Sequence, residues 1–569
     1  MKRILFFVHY NKYDDLADYV IYLLDNIRII FDKIIIISNS KLNDQHKIKL
    51  KELCDLLIIR ENTGFDFGAW KDALLQEGWE NLSAYDNVTL MNDSCFGPLF
   101  DMTMIYNRME QINTDFWGIS EHTEMSYGLQ GTDDPIPEHI QSYFICFKNK
   151  VIIDRVFQNF WENLNYEKNI KIVIQKYESQ LTPILKKNGF NYSVIVNSTD
   201  KISISFTRPD LCIINQAPFI KIKSFFFYSN TSYIKQLITE KTNYPVSLIN
   251  NYFSDLYDPT NSYKTDNKTI NPELYTINNN NSYSKTAIHI IADNPVILQK
   301  YISFFDKFEI DYHLYITTDS ENKKREIIDF MRNNLSYKYL KEIIVYKYNN
   351  RNILPFLNMA EKLKNYDIAG NIYINNNIDE IQNYFEFILT HIYKIINIIN
   401  SNKKIGIIIP DIPEFLLLKL IKDPKEKKMK YNMNKLWKQL KLKKDVDFLD
   451  LSTLIFPYNN MFWYRPAALS PLTEFYIQNT NIFKNHFINN NLSLECYGKM
   501  IVYIAWSEGY DYRIITSGIA EESIFYYNHI INNYIKKYLS LHDYKTGNLL
   551  LFLNRFAKKI KRKLTKIYK

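Results

Sequence analysis

The chain reads as an α/β protein: two tandem Rossmann-like units with mostly parallel central sheets, followed by a C-terminal amphipathic helix. Three observations lead there. Its 569 residues exceed what one core holds, so two domains of roughly 200–250 residues are the natural division. Short β-branched runs alternate with helical stretches through the first part of the chain, which argues for βαβ units. The second half then repeats the landmarks of the first in the same order.

Taken in order, strands are expected at Arg3–Val8, Lys33–Ser38, Leu56–Ile59, Val88–Met91, Phe116–Ile119 and Tyr143–Phe147. The run Arg60-Glu-Asn-Thr-Gly-Phe-Asp66 turns at Gly64 into a helix whose Phe67, Trp70 and Leu74 share one face, and Gly78 is its expected stop. Residues 256–286, with Asp-Pro-Thr-Asn-Ser and a run of Asn, carry a linker's composition. Beyond them, Ala287–Ala292 repeats the first strand and Tyr312–Thr317 the second. Laid on the first copy, Asn350 meets Gly64, Asn352 meets Asp66, Phe356 meets Trp70 and Asn376 meets Asp93. Asn460–Arg465 stands where Ser142–Lys148 does, and Glu495 where Glu178 does. The expected division is therefore 1–255, a linker at 256–286, 287–530, and a tail at 531–569. The first copy keeps its acids where the second has amides, which points to the first for chemistry.

Composition narrows the classes. An apolar fraction of 46% supports burial and argues against disorder. Five cysteines, odd in number and outside metal-ligand spacings, suggest reduced thiols in a cytoplasmic chain. The apolar start ends at His9 and Lys12, so it reads as a first buried strand and not a leader. No run approaches the roughly 18 apolar residues of a membrane span. The net charge of +8 lies wholly in the tail, where Arg555–Lys569 holds eight basic residues and no acid, so nucleic-acid binding by the body is not implied. Phe552, Phe556, Ile560, Leu564 and Ile567 recur there at helical spacing, the pattern of a basic helix lying on the inner face of the cell membrane. A solvated charged terminus is the plain alternative.

Ligands of open parallel sheets bind where strands end. Asn62-Thr-Gly64-Phe-Asp66 offers a tight turn and a carboxylate able to accept from a base or ribose. Asn92-Asp93-Ser94 is an oxygen-rich step off an apolar strand, suited to Mg²⁺ or Mn²⁺ bridging a diphosphate. Glu178 is expected at a helix start, where a general base can face the sheet's mouth. Each has a plainer reading: Asp66 as a helix cap, Asp93 as a turn former, Glu178 as a charge favoured by the helix dipole. His9 can reach a nucleotide or be a satisfied strand-end histidine. His139 and Gln141 are candidates for acceptor contact.

An Asn-x-Gly turn, a helix, an apolar strand ending in a triplet with an acid, then Glu-x-x-Leu with Gly-aromatic beyond, resembles the inverting glycosyltransferase A fold. Gly-Phe-Asp-Phe-Gly-Ala-Trp-Lys, Asn-Asp-Ser-Cys-Phe-Gly-Pro and His139-Ile-Gln-Ser-Tyr-Phe resemble the rhamnan synthesis protein F family more closely, as does Phe456-Pro-Tyr through Arg465-Pro. The resemblance covers about residues 1–530. It implies an inverting rhamnosyltransferase of cell-surface polysaccharide or lipopolysaccharide (O-antigen) synthesis, using dTDP-rhamnose on a lipid-linked glycan. His9, Asn62, Gly64, Asp66, Asn92, Asp93 and Ser94 would then line the nucleotide-sugar site, Asp93 would touch any metal, and Glu178 would be the base. Two departures accompany it. The usual metal triplet has acids at its outer positions, where this chain has Asn92 and Ser94. The second copy has Asn at 350 and 352 where Gly and Asp are expected. A non-catalytic glycan-binding or scaffold protein is the alternative from another class.

Overall fold

The computed structural model describes residues 1–125, 135–198, 203–227, 231–265, 268–275, 284–306, 311–346, 353–374, 382–412, 426–481, 483 and 492–516. Two compact units emerge. One comprises Met1–Leu256 with Lys264–Asp266, and the other Tyr257–Tyr263 with the chain from Asn267 on.

In the first unit the strands are β1 (Arg3–His9), β2 (Lys33–Ser38), β3 (Leu56–Ile59), β4 (Asn87–Asn92), β5 (Cys95–Phe96), β6 (Phe116–His122), β7 (His139–Ile140), β8 (Phe144–Lys148), β9 (Tyr192–Val196) and β10 (Ile220–Lys221). The main sheet runs β3-β2-β1-β4-β8-β6-β7, with β9 also on β6. Strands β3, β2, β1 and β4 are parallel, and β8 enters antiparallel between β4 and β6. Continuous apolar runs fit this arrangement, because a parallel sheet is covered on both faces. Ile4, Phe6 and Val8 of β1 pack with Phe67, Trp70 and Leu74 of the helix Phe65–Glu77. That helix ends at Gly78, whose φ of 78° only glycine adopts freely. Trp70 is core, as its spacing suggests, and its indole N–H donates to the Phe6 carbonyl across 3.2 Å.

The second unit contains β11 (Thr269–Ile270), β12 (Thr286–Ala292), β13 (Tyr312–Thr318), β14 (Leu340–Val345), β15 (Ile368–Ile374), β16 (Ile405–Pro410), β17 (Phe462–Tyr464) and β18 (Asp511–Ile515). Its order is β11-β18-β16-β17-β15-β12-β13-β14. Read from β14 inward, β14-β13-β12-β15 are parallel, and β17 is the antiparallel insert beside β15. The first sheet has the same sequence of relations, with β17 standing where β8 does. Phe356 is buried as Trp70 is, against Phe462 and Tyr464.

The breaker-rich stretch 256–286 is partly folded, its described part from Lys268 on lying in this unit. Pro259–Thr265 is helical and β11 pairs with β18. Lys268, fully buried, lies 3.2 Å from Asp511 at that edge, and burial of such a charge is tolerable only with a partner.

Candidate active site

Strands β3, β2, β1 and β4 end along one edge, and most of the acids singled out above lie on it. The turn after β3 enters its helix through two successive left-handed residues, Gly64 at φ 70° and Phe65 at φ 52°. A Cβ on Gly64 would stand 3.1 Å from both Gly68 Cα and the Tyr166 ring, so this turn needs glycine for conformation and for space. Phe65 has a Cβ and holds that conformation at a cost, a kind of strain that clusters at functional sites.

The turn delivers Asp66, in the helix's first turn, to the end of β4. There Asn92 Nδ2 donates to Asp66 Oδ2 across 2.8 Å. Asn92 Oδ1 accepts from the Ser94 N–H at 3.1 Å and from its hydroxyl at 2.6 Å. Asp93 points back toward β1, its Oδ2 accepting the Tyr10 N–H at 2.9 Å. Burial pushes the Asp66 carboxyl up to about 6. The Asn92 amide opposes that rise, the Glu178 charge adds to it, and Lys223 and Lys221 oppose it. Burial likewise pushes Asp93 up to about 8, with the Tyr10 N–H opposing and the Asp66 charge adding.

Glu178 behaves oppositely. It is not at a helix start: the helical run begins at Ile170, passes through a π-helical turn at Ile174–Glu178, and continues as Ser179–Lys187. A dipole role at an N-terminus therefore falls away. An extra residue in one turn re-aims the following side chains, and such turns recur at functional sites. Glu178 Oε1 accepts the Ser142 N–H at 3.1 Å and the Ser142 hydroxyl at 2.8 Å. Burial alone would raise its pKa, but the charges of His139 and Lys221 and the two Ser142 bonds outweigh it. The net direction is down, so Glu178 is a carboxylate at neutral pH. Neighbouring acids driven in opposite directions are the signature of divided acid and base roles.

Lys221 is the residue that sequence reasoning missed. It sits on β10, which pairs antiparallel with β5 so that Lys221 faces Cys95, two residues beyond Asp93. The Ile222 N–H donates to the Ser94 carbonyl at 3.0 Å, fastening this strand to the loop after β4. Its one sequence signal is a lysine inside the apolar run Phe219-Ile-Lys-Ile.

The other candidates are placed less centrally. His9 is buried at the end of β1 with Nδ1 3.0 Å from the Ser38 hydroxyl, and burial pushes its pKa down to about 4. Asn62 Oδ1 accepts from Asn39, whose own amide oxygen accepts from Arg60, so it belongs to a network at the β2–β3 end. His139 and Gln141 are each only 2% exposed. Gln141 Oε1 accepts from the Ser120 and Ser205 hydroxyls, and His139 stacks on His122 with ring centroids 5.3 Å apart. In this arrangement neither presents a surface to an acceptor, and burial lowers the His139 pKa, with the Glu178 charge opposing.

A divalent metal fits this donor set poorly. Asn92 and Ser94 are spent on each other, the Asp93 carboxylate is turned to Tyr10, and a lysine ammonium stands nearby. Among the described residues no group of three His, Cys, Asp or Glu side chains converges.

In the second unit, Glu495 lies on the helix Leu492–Ser507, its side chain 55% exposed and 3.7 Å from Lys499. Asn350, Asn352 and Asn376, and the basic tail, lie outside the described residues. Among the described residues no helix is long and apolar enough to cross a membrane.

Comparison with known proteins places the match over most of the chain: the family model described as Rhamnan synthesis protein F matches residues 34–510. An uncharacterized protein of Sinorhizobium fredii is 28% identical over 167 residues, 29% of this chain and 42% of that protein. Virulence protein VirA of Vibrio anguillarum is 28% identical over 185 residues, 31% of this chain and 54% of it. The chain thus spans about half the length of the curated relatives it matches. Among solved structures, the glycosyltransferase GlyE of Streptococcus pneumoniae aligns with 68% of this chain and 89% of its own, at 10% identity and a TM-score of 0.22. The 4-diphosphocytidyl-2C-methyl-D-erythritol synthase of Anaerococcus prevotii aligns with 38% of this chain and 95% of its own, at 12% identity and a TM-score of 0.23. Likenesses that slight carry no functional weight.

Proposed function

The chain belongs to the rhamnan synthesis protein F family, and from that premise we propose that it is an inverting glycosyltransferase of cell-surface polysaccharide synthesis. Its two units are tandem domains of the glycosyltransferase A type, the first catalytic and the second degenerate. The donor is a nucleotide-activated sugar, dTDP-rhamnose by family, and the acceptor a lipid-linked glycan met at the inner membrane face through the basic tail.

The observation that carries this reading is the contrast among the acids at the first sheet's edge. Glu178 is held ionised beside Ser142, while burial raises Asp66 to about 6 and Asp93 to about 8. An ionised carboxylate with a fixed orientation is what a general base requires. In the reaction, Glu178 takes the proton from an acceptor hydroxyl as that oxygen bonds to the anomeric carbon. The bond from that carbon to the diphosphate breaks on the opposite face, and the electron pair leaves with the diphosphate. The products are the glycoside of inverted configuration, the nucleoside diphosphate and a proton on Glu178. Asp66, with Asn92 holding it in place, accepts hydrogen bonds from the nucleoside. Gly64, packed against Gly68 and Tyr166, sets the turn that brings Asp66 to that position. The Mg²⁺ or Mn²⁺ that the strand-end triplet suggests takes no part in this step, given the donor set found there.

Glu178→Gln tests the reading. Glutamine keeps an oxygen to accept from Ser142, so the fold survives while the proton acceptor is lost. Sugar transfer by the full chain should fall by roughly 10²–10⁴-fold, the usual weight of a positioned base. Transfer and polysaccharide output unchanged in this variant would favour a glycan-binding scaffold.

A further inference from the structure

We propose that Lys221, rather than a divalent metal, receives the diphosphate as it leaves. The inference rests on the nucleotide-sugar reading and adds the group that carries the counter-charge.

The geometry begins with β10. This short strand crosses the loop after β4, pairing Lys221 with Cys95 and Ile220 with Phe96. The loop is the oxygen-rich step Asn92-Asp93-Ser94, and the Ile222 bond to the Ser94 carbonyl fixes the register. Lys221 Nζ lies 5.0 Å from the centroid of the Tyr143 ring and 4.4 Å from that of Phe206. Two aromatic faces hold an ammonium without satisfying its donors. Among the described residues no carboxylate forms an ion pair with it, although the Glu178 and Asp66 charges act on it. Burial pulls its pKa down and the Glu178 charge opposes that. A half-buried ammonium whose N–H groups point at no protein acceptor is an anion site, because leaving those donors unmet costs stability.

Its neighbours define which anion. The Lys221 charge acts both on Asp66, in the first turn of its helix, and on Glu178, in the π-helical turn, so an anion on Lys221 would be near the groups assigned to the nucleoside and to the acceptor. That is the diphosphate's position. Lys223, exposed two residues on, adds positive charge on the approach. As the anomeric carbon–oxygen bond breaks, charge builds on the departing diphosphate oxygen, and a Lys221 N–H donates to it. The proton stays on nitrogen, so no further reactant is needed. A fixed cation at developing negative charge is the general form of electrostatic catalysis.

The test is calorimetric titration of the full chain with dTDP and with UDP, in EDTA and in Mn²⁺, for wild type, Lys221→Met and Lys221→Arg. At least one nucleoside diphosphate should bind wild type in EDTA. Lys221→Met should weaken it roughly 10- to 100-fold, the weight of a charge-assisted hydrogen bond. Lys221→Arg should stay within several-fold of wild type, and Mn²⁺ should change little. Thermal unfolding supplies a second readout: removing an unmet ammonium should leave Lys221→Met as stable as wild type or more so. Should that variant not fold, Lys221→Gln carries the same binding expectation. Binding that requires Mn²⁺ and is equal in Lys221→Met overturns this inference alone, as does an arginine variant no better than methionine. Silence of wild type toward both diphosphates under both conditions overturns the nucleotide reading and this inference with it.

Discussion

Replacing Asp66 by Asn should stabilise the protein at alkaline pH and leave it unchanged in acid. The native carboxyl titrates at about 6 against an ordinary 3.8. Between those two values the folded chain binds more protons than the unfolded chain, so stability falls as pH rises through the window and the loss is complete above about 6. A rise of that size corresponds to on the order of 3 kcal/mol, reached at pH 7–8. Asparagine has the same shape and can still accept from Asn92 Nδ2, so the variant removes the charge and little else. For a unit this large, each kcal/mol moves the melting temperature by about 2–4 °C. The assay is denaturant unfolding of both proteins at pH 4 and pH 8. The wild type should lag the variant at pH 8 and match it at pH 4. Equal differences at both pH values, or a variant less stable at pH 8, would refute the argument that burial governs this carboxyl. Retaining an acid that costs stability is expected only where function uses it, so nucleotide binding should fall in the same variant.

Two further outcomes follow from local geometry. Gly64→Ala places a Cβ at φ 70° against Gly68 and Tyr166, and should cost about 1–2 kcal/mol in unfolding experiments while weakening nucleotide binding. Glu495→Gln removes one member of an exposed ion pair in the second unit, worth less than ~1 kcal/mol, and transfer measured beside wild type should be unaltered.

Much of the first sheet was legible because parallel strands write their burial plainly. Lys33–Ser38 and Leu56–Ile59 begin and end where their apolar runs do, and the Gly64 and Gly78 punctuation brackets the helix between them. The antiparallel insertion of β8 was not legible, since Tyr143–Phe147 looks the same whichever way the strand runs. Pairing is set by partners distant in sequence, and β8 lies between β4 and β6 only because both register with it. The site was half visible. Asp66 and Asn92 could be named from strand ends, but their hydrogen bond joins a helix's first turn to the end of a strand 26 residues on. Glu178 was named for the wrong local reason, because a π-helical turn leaves no mark in residue spacing. Lys221 escaped because one lysine in an apolar strand reads as an edge charge until the fold shows what it faces. The stretch 256–286 misled in part, since β11 is too short to rise above its polar surroundings.

The most direct measurement is binding of a panel of nucleotide sugars to the full chain, wild type beside Asp66→Asn. One nucleoside-diphosphate sugar, dTDP-rhamnose foremost, should bind wild type and be lost or much weakened in the variant. A chain that binds glycan but no nucleotide sugar, or binds one equally well in both proteins, would contradict it.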